Sequence, residues 1–326
     1  MKTIPMKKAL LVTGTILSFF FAPQAMQAQD PQFTQFYANP LYLNPALAGS
    51  KLCPRLCFNY RNQWPGISGT FATTSASFDK MVYDLHGGIG LIATTDEAGQ
   101  GTIKTTTISG IYSYHQQITR KFTIAAAMEA TFTQKSLDWS KVNFGDMIDP
   151  SRGFVYQTGE TPGPAAKSNL DISTGIVGFS DYYFVGFSVH HLTQPNESLL
   201  SAGTSTLPMK YTAHAGANIP IGDRRNPDVV ISPNIIWQKQ QDFEELNLGL
   251  YIKKDVIVGG IWYRNRDSFI MLIGIDKGNI RVGYSYDITV SRLTNTTAGA
   301  HEVSFAIGFA CKKRKPHYRP IQCPGF

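Results

Sequence analysis

The sequence predicts an all-β fold, a closed antiparallel transmembrane β-barrel of about 14 strands, with a plug-like periplasmic N-terminal segment and a short basic C-terminal tail. Three observations lead to this prediction. Apolar residues alternate with small or polar residues, the alternating stretches are each about ten residues long, and their number is even. Outer-membrane barrels of bacteria have strands of this period and length, and an even number of them.

The first residues predict export. Three lysines precede an apolar run from Ala9 to Ala22, which is the arrangement of a secretory signal peptide. We expect residues 1–28 to be the signal, with cleavage after Ala22 or Ala25 as alternatives. A membrane anchor is the other interpretation, but it needs about 20 apolar residues and this run is shorter.

The charge distribution argues against a nucleic-acid partner. The formal net charge is +7, but three cations are signal lysines and five lie after Cys311, so the rest of the chain has a net charge near −1. Charged residues make up 16% of the chain, below the ~25% of an average soluble domain. A nucleic-acid interface needs cations clustered on the fold, and this sequence has them mainly at its ends.

The alternation is clearest between Ile280 and Val290, where even positions are apolar or aromatic and odd positions are small or charged. Successive side chains of a strand point to opposite faces, so one face is apolar. A soluble sandwich also alternates, but its exposed face would carry more Lys and Glu. The same pattern predicts strands over residues 57–64, 71–80, 86–95, 102–116, 119–133, 168–180, 181–192, 209–221, 227–239, 241–252, 255–264, 267–276, 279–290 and 299–310.

The connections alternate in length. Those after even-numbered strands are short, whereas the long loops 136–167 and 193–208 follow odd-numbered strands. Outer-membrane barrels have short periplasmic turns and longer outer loops. We therefore expect a barrel over residues 51–311, a basic tail over 312–326, and both chain ends on the periplasmic side of the outer membrane.

Aromatic residues near the predicted strand ends are expected to form the girdles at the two membrane interfaces. For each one alone, core packing is an equally good interpretation. As a set they favour the barrel: Trp64, Tyr112, Tyr114, Tyr182, Tyr183, Trp237, Trp262 and Tyr263.

The sequence has no convincing catalytic or metal motif, so we predict a non-enzymatic protein without a cofactor. His190 and His191 resemble a metal pair, but adjacent strand residues are expected to face opposite sides. Asp146, Asp149 and Glu160 lie in a long loop, where a solvated loop is favoured over calcium binding. Eight charged residues are expected to face the lumen and to fill it by pairing rather than to line a channel: Arg61, Lys104, Glu129, Asp171, Glu245, Arg281, Asp287 and Glu302.

Four cysteines lie near the two ends of the mature chain: Cys53, Cys57, Cys311 and Cys323. Their spacing is a poor match to a zinc site. Exported proteins meet an oxidising compartment, so we predict disulfides. The spacing leaves the pairing open.

Residues 29–50, between the signal and the barrel, contain two Asn-Pro pairs. Asn is a favoured N-cap and Pro suits the first helical position, so each pair is expected to start one helical turn. Irregular backbone at membrane depth must be shielded from lipid, so we expect this segment to fold into or across the periplasmic mouth. It would act as a plug or as a partner-docking site through Phe33, Phe36, Tyr37, Asn39, Pro40, Tyr42, Asn44, Pro45 and Leu47.

The basic tail has two interpretations of equal standing. It is either a solvated end after the barrel or a docking strip for a periplasmic partner. The cationic residues concerned are Lys312, Lys313, Arg314, Lys315 and Arg319.

Residues Gln29–Gly49, followed by Asn59–Pro65 and Phe71–Asp79, resemble the PorP/SprF family, and the proline-containing basic tail fits the same family. The resemblance implies an outer-membrane barrel of the type IX secretion system, which exports proteins and in some bacteria supports gliding motility. It also implies partners: the periplasmic ring lipoprotein and its partner, an OmpA-like peptidoglycan-binding protein, or a secreted adhesin. Whether the chain is a core component or an adhesin-specific accessory stays open.

Two other functions are compatible with parts of the sequence. A passive transport channel resembling the fatty-acid transporter barrels would also have fourteen strands and a plug with an element like Asn44-Pro-Ala46. Such a path should be apolar, whereas the predicted lumen is small and charged. An outer-membrane hydrolase would need a Ser-His pair on one face at one depth, which the predicted strands do not provide.

Overall fold

The computed structural model describes residues 29–310, apart from residues 52, 68, 160–162, 200–203, 223–227 and 291–297. The predicted signal peptide and the five tail cations therefore lie outside the described residues. The described residues from Pro31 onward form one compact unit.

Within the described residues, fourteen antiparallel wall strands form the barrel, one of them interrupted at Asn218 and made of β10 and β11. Two short strands, β6 and β7, form a separate hairpin in the loop after β5. The strands are β1 (Arg55–Gln63), β2 (Phe71–Val82), β3 (Gly87–Ala98), β4 (Ile103–Thr119), β5 (Phe122–Leu137), β6 (Ile148–Asp149), β7 (Gly153–Phe154), β8 (Ala166–Phe179), β9 (Tyr183–His190), β10 (Lys210–Ala217), β11 (Ile219–Ile221), β12 (Val229–Gln240), β13 (Phe243–Lys254), β14 (Ile257–Arg264), β15 (Ser268–Lys277), β16 (Ile280–Thr289) and β17 (Ala300–Gly308).

The sheet closes on itself. Neighbouring wall strands pair in chain order, β10 pairs with both β9 and β12, and the first wall strand pairs with the last. In that last pair Arg55 lies opposite Gly308, and Gln63 lies opposite Ala300. A closed ladder satisfies the backbone groups that an open edge would present to lipid. The predicted closed barrel of about fourteen strands is confirmed.

The two ends of the barrel differ in their connections. One end, here the short-turn end, has the turns 83–86, 120–121, 180–182, 255–256 and 278–279. The opposite end, here the long-loop end, carries the loops 138–165 and 191–209. This is the alternation that the sequence predicts. No helix in the described part of the chain is long and apolar enough to cross a membrane.

The wall has one apolar outer face and one mixed inner face. In β15, Phe269, Met271 and Ile273 are exposed outside the barrel, whereas the residues between them are buried inside. Large apolar side chains on the outer face of a transmembrane barrel are covered by lipid. The alternation of outward apolar and inward residues that the sequence predicts is therefore present in β15.

The predicted aromatic girdle needs one correction. The five tyrosines of the set are exposed near strand ends, and Trp64 and Trp237 are half-buried. The girdle prediction is wrong for Trp262, because this side chain is fully buried inside the lumen. It is adjacent to Tyr263 in β14, and adjacent strand residues cannot both face lipid.

The buried core lies inside the barrel, where residues 33–50, here the plug segment, pack against the inner wall. The plug supplies Phe36, Tyr37 and Leu41 to the core, and the wall supplies Phe184, Trp262 and others. The core is therefore an interface between the plug segment and the wall, and not a layer within the wall.

Candidate functional site: the plugged lumen

The plug segment consists of three short turns. A 3-10 turn spans Phe36–Ala38, one α-helical turn spans Pro40–Leu43, and a second 3-10 turn spans Pro45–Leu47. The two helical turns expected after the Asn-Pro pairs are thus present. Asn44 Oδ1 accepts a hydrogen bond from the Ala46 nitrogen at 2.9 Å, and Pro at the first helical position needs no donor partner there.

Aromatic stacking holds the middle of the plug segment. Phe36 packs on Trp262 with ring centroids 5.0 Å apart, and Tyr37 contacts Phe184 edge-to-face at 5.4 Å. Leu41 is fully buried beside them. Burial of one such side chain stabilises the packed state by about 1.5–3 kcal/mol, so these contacts fix the segment in the lumen.

The structure brings the nine predicted plug residues together in the lumen. Tyr42 is half-buried: its hydroxyl donates to the Pro31 carbonyl at 2.5 Å, and Lys210 Nζ lies 5.1 Å from its ring centroid. The other eight are buried: Phe33, Phe36, Tyr37, Asn39, Pro40, Asn44, Pro45 and Leu47.

The segment lies deeper than a cover over one mouth. Thr34 contacts Glu302, which is near the long-loop end of β17, and Gly49 contacts Asp79, which is near the short-turn end of β2. The segment therefore follows the lumen along the barrel. Most of its large side chains are apolar and buried, and enclosure by the wall removes them from water.

The Glu302 carboxylate binds the start of the plug segment. Glu302 Oε2 accepts hydrogen bonds from the Thr34 nitrogen at 2.5 Å, the Thr34 hydroxyl at 2.6 Å and the Gln35 nitrogen at 3.3 Å. The Gln35 amide also donates to the Glu302 carbonyl at 3.0 Å. Three donors of the plug converge on one carboxylate oxygen, so Glu302 is a principal tether.

Asn44 is a second tether. Its side-chain nitrogen lies 3.2 Å from the Ile176 carbonyl, 3.3 Å from the Phe187 carbonyl and 3.1 Å from His214 Nε2. This approach depends on Gly175, where an added Cβ would lie 2.1 Å from Asn44 Oδ1. Glycine in the wall therefore makes room for the plug.

The end of the plug is held by a third tether, the carboxylate of Asp79. Gly49 donates its backbone N–H to Asp79 Oδ2 at 3.0 Å, and Asp79 is also paired with Arg55. His115 Nε2 lies 3.0 Å from the Ala48 carbonyl. Wall groups thus satisfy the plug backbone that no regular secondary structure satisfies.

Buried charged groups of the inner wall pair with each other, as expected if such pairing fills the lumen. Arg61 Nη2 lies 3.1 Å from Asp287 Oδ2, and Arg264 Nε lies 3.4 Å from Glu245 Oε1. All four side chains are buried. Lys104 differs from the prediction: it is exposed and pairs with Glu97 at 2.9 Å. It lies near the long-loop end of β4, where the wall extends beyond the lumen contents.

The prediction that His190 and His191 face opposite sides of the wall needs correction. His191 has a φ of 61°, so the strand ends and both side chains approach inward carboxylates. His191 Nδ1 lies 2.6 Å from Asp171 Oδ2, and His190 Nδ1 lies 3.8 Å from Glu129 Oε2. The expectation of opposite faces was wrong because it assumed extended backbone at His191. In the described residues, no three metal-ligating side chains gather at one point.

The carboxylates of Asp146 and Asp149 accept hydrogen bonds from within the loop that contains the β6–β7 hairpin. Asp149 accepts from the Ser151 nitrogen at 2.8 Å, the Arg152 nitrogen at 2.9 Å and the Tyr156 hydroxyl at 3.0 Å. The Ser151 contact, followed by that of Tyr156, holds the pKa of Asp149 below its usual range. Asp146 accepts from Gly159 at 2.7 Å. Glu160 lies outside the described residues.

The cysteines divide into two kinds. Cys53 is disulfide-bonded, and Cys57 is a free, buried thiol. These two are therefore not paired with each other. Cys311 and Cys323 lie outside the described residues.

Wall residues that hold the plug were missed in the sequence, among them Trp262, His214 and Asp79. The signal for Trp262 was present, since Val258, Gly260, Trp262 and Arg264 share one parity in β14 and the last of these is charged. For the others, residue type and parity give no indication of a plug contact.

Comparison with solved structures finds barrels at low similarity. They include the Acinetobacter baumannii outer membrane protein Omp33, with a TM-score of 0.44 and 7% identity over 80% of this chain and 100% of that one. The translocator domain of the autotransporter NalP from Neisseria meningitidis has a TM-score of 0.42 and 10% identity, with 83% and 92% covered. A Pseudomonas aeruginosa FadL homologue has a TM-score of 0.42 and 13% identity, with 81% and 90% covered. Similarity at this level is too coarse to indicate function.

Comparison with curated proteins finds no match. The family comparison is specific. Residues 25–307, which include the plug segment and all the wall strands except the last residue of β17, match the model described as type IX secretion system membrane protein PorP/SprF. The chain belongs to the PorP/SprF family of type IX secretion system membrane proteins.

Proposed function

We propose that the chain is a non-enzymatic outer-membrane component of the type IX secretion system, which anchors or assembles secretion or gliding machinery, or a surface adhesin, at that membrane. Family membership supports the secretion role. The closed wall with its apolar outer face supports the membrane location. The main support for an assembly role rather than a channel is that the plug segment fills the lumen and is bound to the wall at Glu302, at Asp79 and around Asn44.

The inner wall argues for assembly rather than passive transport. A path for fatty acids would be lined by apolar side chains, whereas this lumen carries the buried ion pairs of Arg61 with Asp287 and of Arg264 with Glu245. Removing one partner of such a pair costs about 3–5 kcal/mol. A hydrophobic solute passing between them would have to break them.

The proposed orientation has the short-turn end, where β1 begins and β17 ends, in the periplasm. That orientation follows the rule that periplasmic turns are short and outer loops long. The short-turn mouth and the basic tail would then face the proposed partners: the ring lipoprotein and its partner, an OmpA-like peptidoglycan-binding protein, or a secreted adhesin.

Gene deletion tests the proposal. Surface delivery of type IX substrates should stop, while uptake of small solutes should be unchanged. Normal secretion by the deletion strain would overturn the proposal. Affinity purification of the intact protein from outer membranes would then separate the branches, since ring lipoproteins, an OmpA-like protein and one large adhesin would each identify a different role.

A further inference from the structure

A small cavity of about 40 Å³ lies between the plug segment and the inner wall, toward the short-turn end. Four inward positions in register form part of its wall. Asp276 of β15 lies opposite Arg281 of β16, Arg281 lies opposite Ala306 of β17, and Ala306 lies opposite Cys57 of β1. Ala306 is the smallest of these four residues and stands in register between Arg281 and Cys57.

Two guanidinium groups line this cavity, those of Arg55 and Arg281. Arg55 is neutralised by Asp79, with Nε–Oδ1 at 2.8 Å and Nη2–Oδ2 at 3.1 Å. Asp276 would be the natural partner of Arg281, but its carboxylate is paired with Lys253 Nζ at 2.5 Å.

Arg281 therefore has no direct ion-pair partner, and the Asp276 and Asp79 carboxylates act on it only from beyond 4.0 Å. It makes no ion pair within 4.0 Å and no hydrogen bond to any described residue, although it is only partly accessible. Two ion pairs lie next to Arg281, that of Arg55 with Asp79 and that of Lys253 with Asp276, and Arg281 belongs to neither. A charge withdrawn from water without a counter-charge is unfavourable.

We propose that this cavity binds one small monovalent anion, a halide or a single carboxylate group, at Arg281 with Arg55 beside it. A guanidinium group presents fixed N–H donors that match a carboxylate. The plug residues Gln35 and Tyr37 line the opposite side. A bound anion would therefore contact both plug and wall and stabilise the plugged state.

The size of the cavity limits the ligand. A water molecule needs about 10–15 Å³ of such volume, so about 40 Å³ accepts a halide or the head of a small carboxylate and excludes a bulky anion. A halide would come from solution. A carboxylate would come from a small organic acid or from an acidic group of a partner.

Thermal unfolding of the intact protein in detergent micelles tests the site. The melting temperature is measured in sodium bromide, sodium formate and a bulky sulfonate salt at equal ionic strength. A rise in bromide and formate over the sulfonate supports the shared chemistry, a rise in one alone selects halide or carboxylate, and no rise in either overturns the proposal.

Variants assign the response to the cavity. Arg281→Gln should abolish the difference between small and bulky anions, whereas Arg120→Gln, which removes an exposed arginine from a turn at the same end, should keep it. Ala306→Leu leaves every charge in place but fills the space, and it should also abolish the response if Arg281→Gln fails to fold. An unchanged response in Ala306→Leu would overturn the proposed location.

Crystallography with bromide locates the ion directly. Anomalous scattering should give a peak between Arg281 and Cys57 in the wild type and none there in Ala306→Leu. Absence of the peak in a wild-type crystal grown in bromide, when bromide raises the melting temperature, would place the anion elsewhere and overturn the assignment.

Discussion

Thr34 and Glu302 are 268 positions apart in the chain, and the Glu302 carboxylate accepts hydrogen bonds from both the Thr34 nitrogen, at 2.5 Å, and the Thr34 hydroxyl, at 2.6 Å. The start of the plug segment is thereby joined to the last wall strand. Both groups are buried, so neither can exchange this contact for water without moving. The plug and the closed wall therefore stabilise each other.

Glu302→Ala should loosen the start of the plug. A buried donor that is left without an acceptor costs about 1–3 kcal/mol, and the variant removes the acceptor of buried donors of Thr34 and Gln35. We expect faster amide hydrogen exchange in residues 33–38 and a measurable ion conductance in planar bilayers. Glu97→Ala is the control, because this half-exposed carboxylate pairs with Lys104 and such pairs contribute about 0–1 kcal/mol. Equal exchange in both variants would contradict the role of Glu302.

Gly88→Ala should disturb the end of the plug. A Cβ at Gly88 would lie 2.2 Å from the Ala48 carbonyl oxygen and 2.6 Å from the Gly49 Cα, and both are backbone atoms. Overpacking of this kind costs about 1–3 kcal/mol. Gly110→Ala is a matched control in the next strand, since a Cβ there has no neighbour within 4 Å. Urea unfolding in micelles should show a reduced stability for Gly88→Ala but not for Gly110→Ala. Equal stabilities of the two variants would contradict the close approach of the plug backbone to Gly88.

Replacing Phe36 and Tyr37 together with Ala should release the middle of the plug. Deleting one buried aromatic side chain costs about 3–5 kcal/mol, and Trp262 loses its contact with Phe36. We expect a red-shifted Trp262 emission, isolated by comparison with Trp262→Phe. Partner recovery distinguishes the two roles of the segment. A leaky barrel that retains its partners indicates a plug, whereas a sealed barrel that loses them indicates a docking site.

The β6–β7 hairpin should lose order in acid. The pKa of Asp149 is lowered by its hydrogen bonds from Ser151, Tyr156 and Arg152. A lowered folded pKa gives stabilisation that is present above the ordinary value, about 3.9, and is lost as pH falls through the folded value. Pepsin cleavage near Phe154 should therefore accelerate as pH falls from about 5 to about 2 in the wild type relative to Asp149→Asn, measured side by side. A constant ratio would contradict the prediction.

Much of the wall could be predicted from sequence because its period of two depends only on local geometry. Tyr284 and Tyr286 face outward and Ser285 faces inward by this rule alone. The prediction failed where local geometry changed. His191 has positive φ and ends its strand early, and the strand predicted over 209–221 breaks at Asn218, two residues before Pro220. Proline has no N–H to give to the ladder.

The plug was predictable in part. The Asn-Pro pairs indicate its helical turns, since capping and the fixed φ of proline are local properties. Its depth and its wall partners were not predictable. Gly175 and Gly88 look like ordinary strand glycines in the sequence, and only the fold shows that plug atoms occupy the space where a Cβ would be.

The sequence by itself determined the class of this protein: an alternating apolar face of sufficient length, an even number of strands, alternating connections and a recognisable family motif. Only the tertiary structure decided what the lumen contains, which carboxylates hold the plug, and that Arg281 has no ion pair within 4.0 Å among the described residues. The physical reason is that strand periodicity is set by neighbours in the chain. Contacts such as that of Thr34 with Glu302 depend on barrel closure, which brings distant residues to one place.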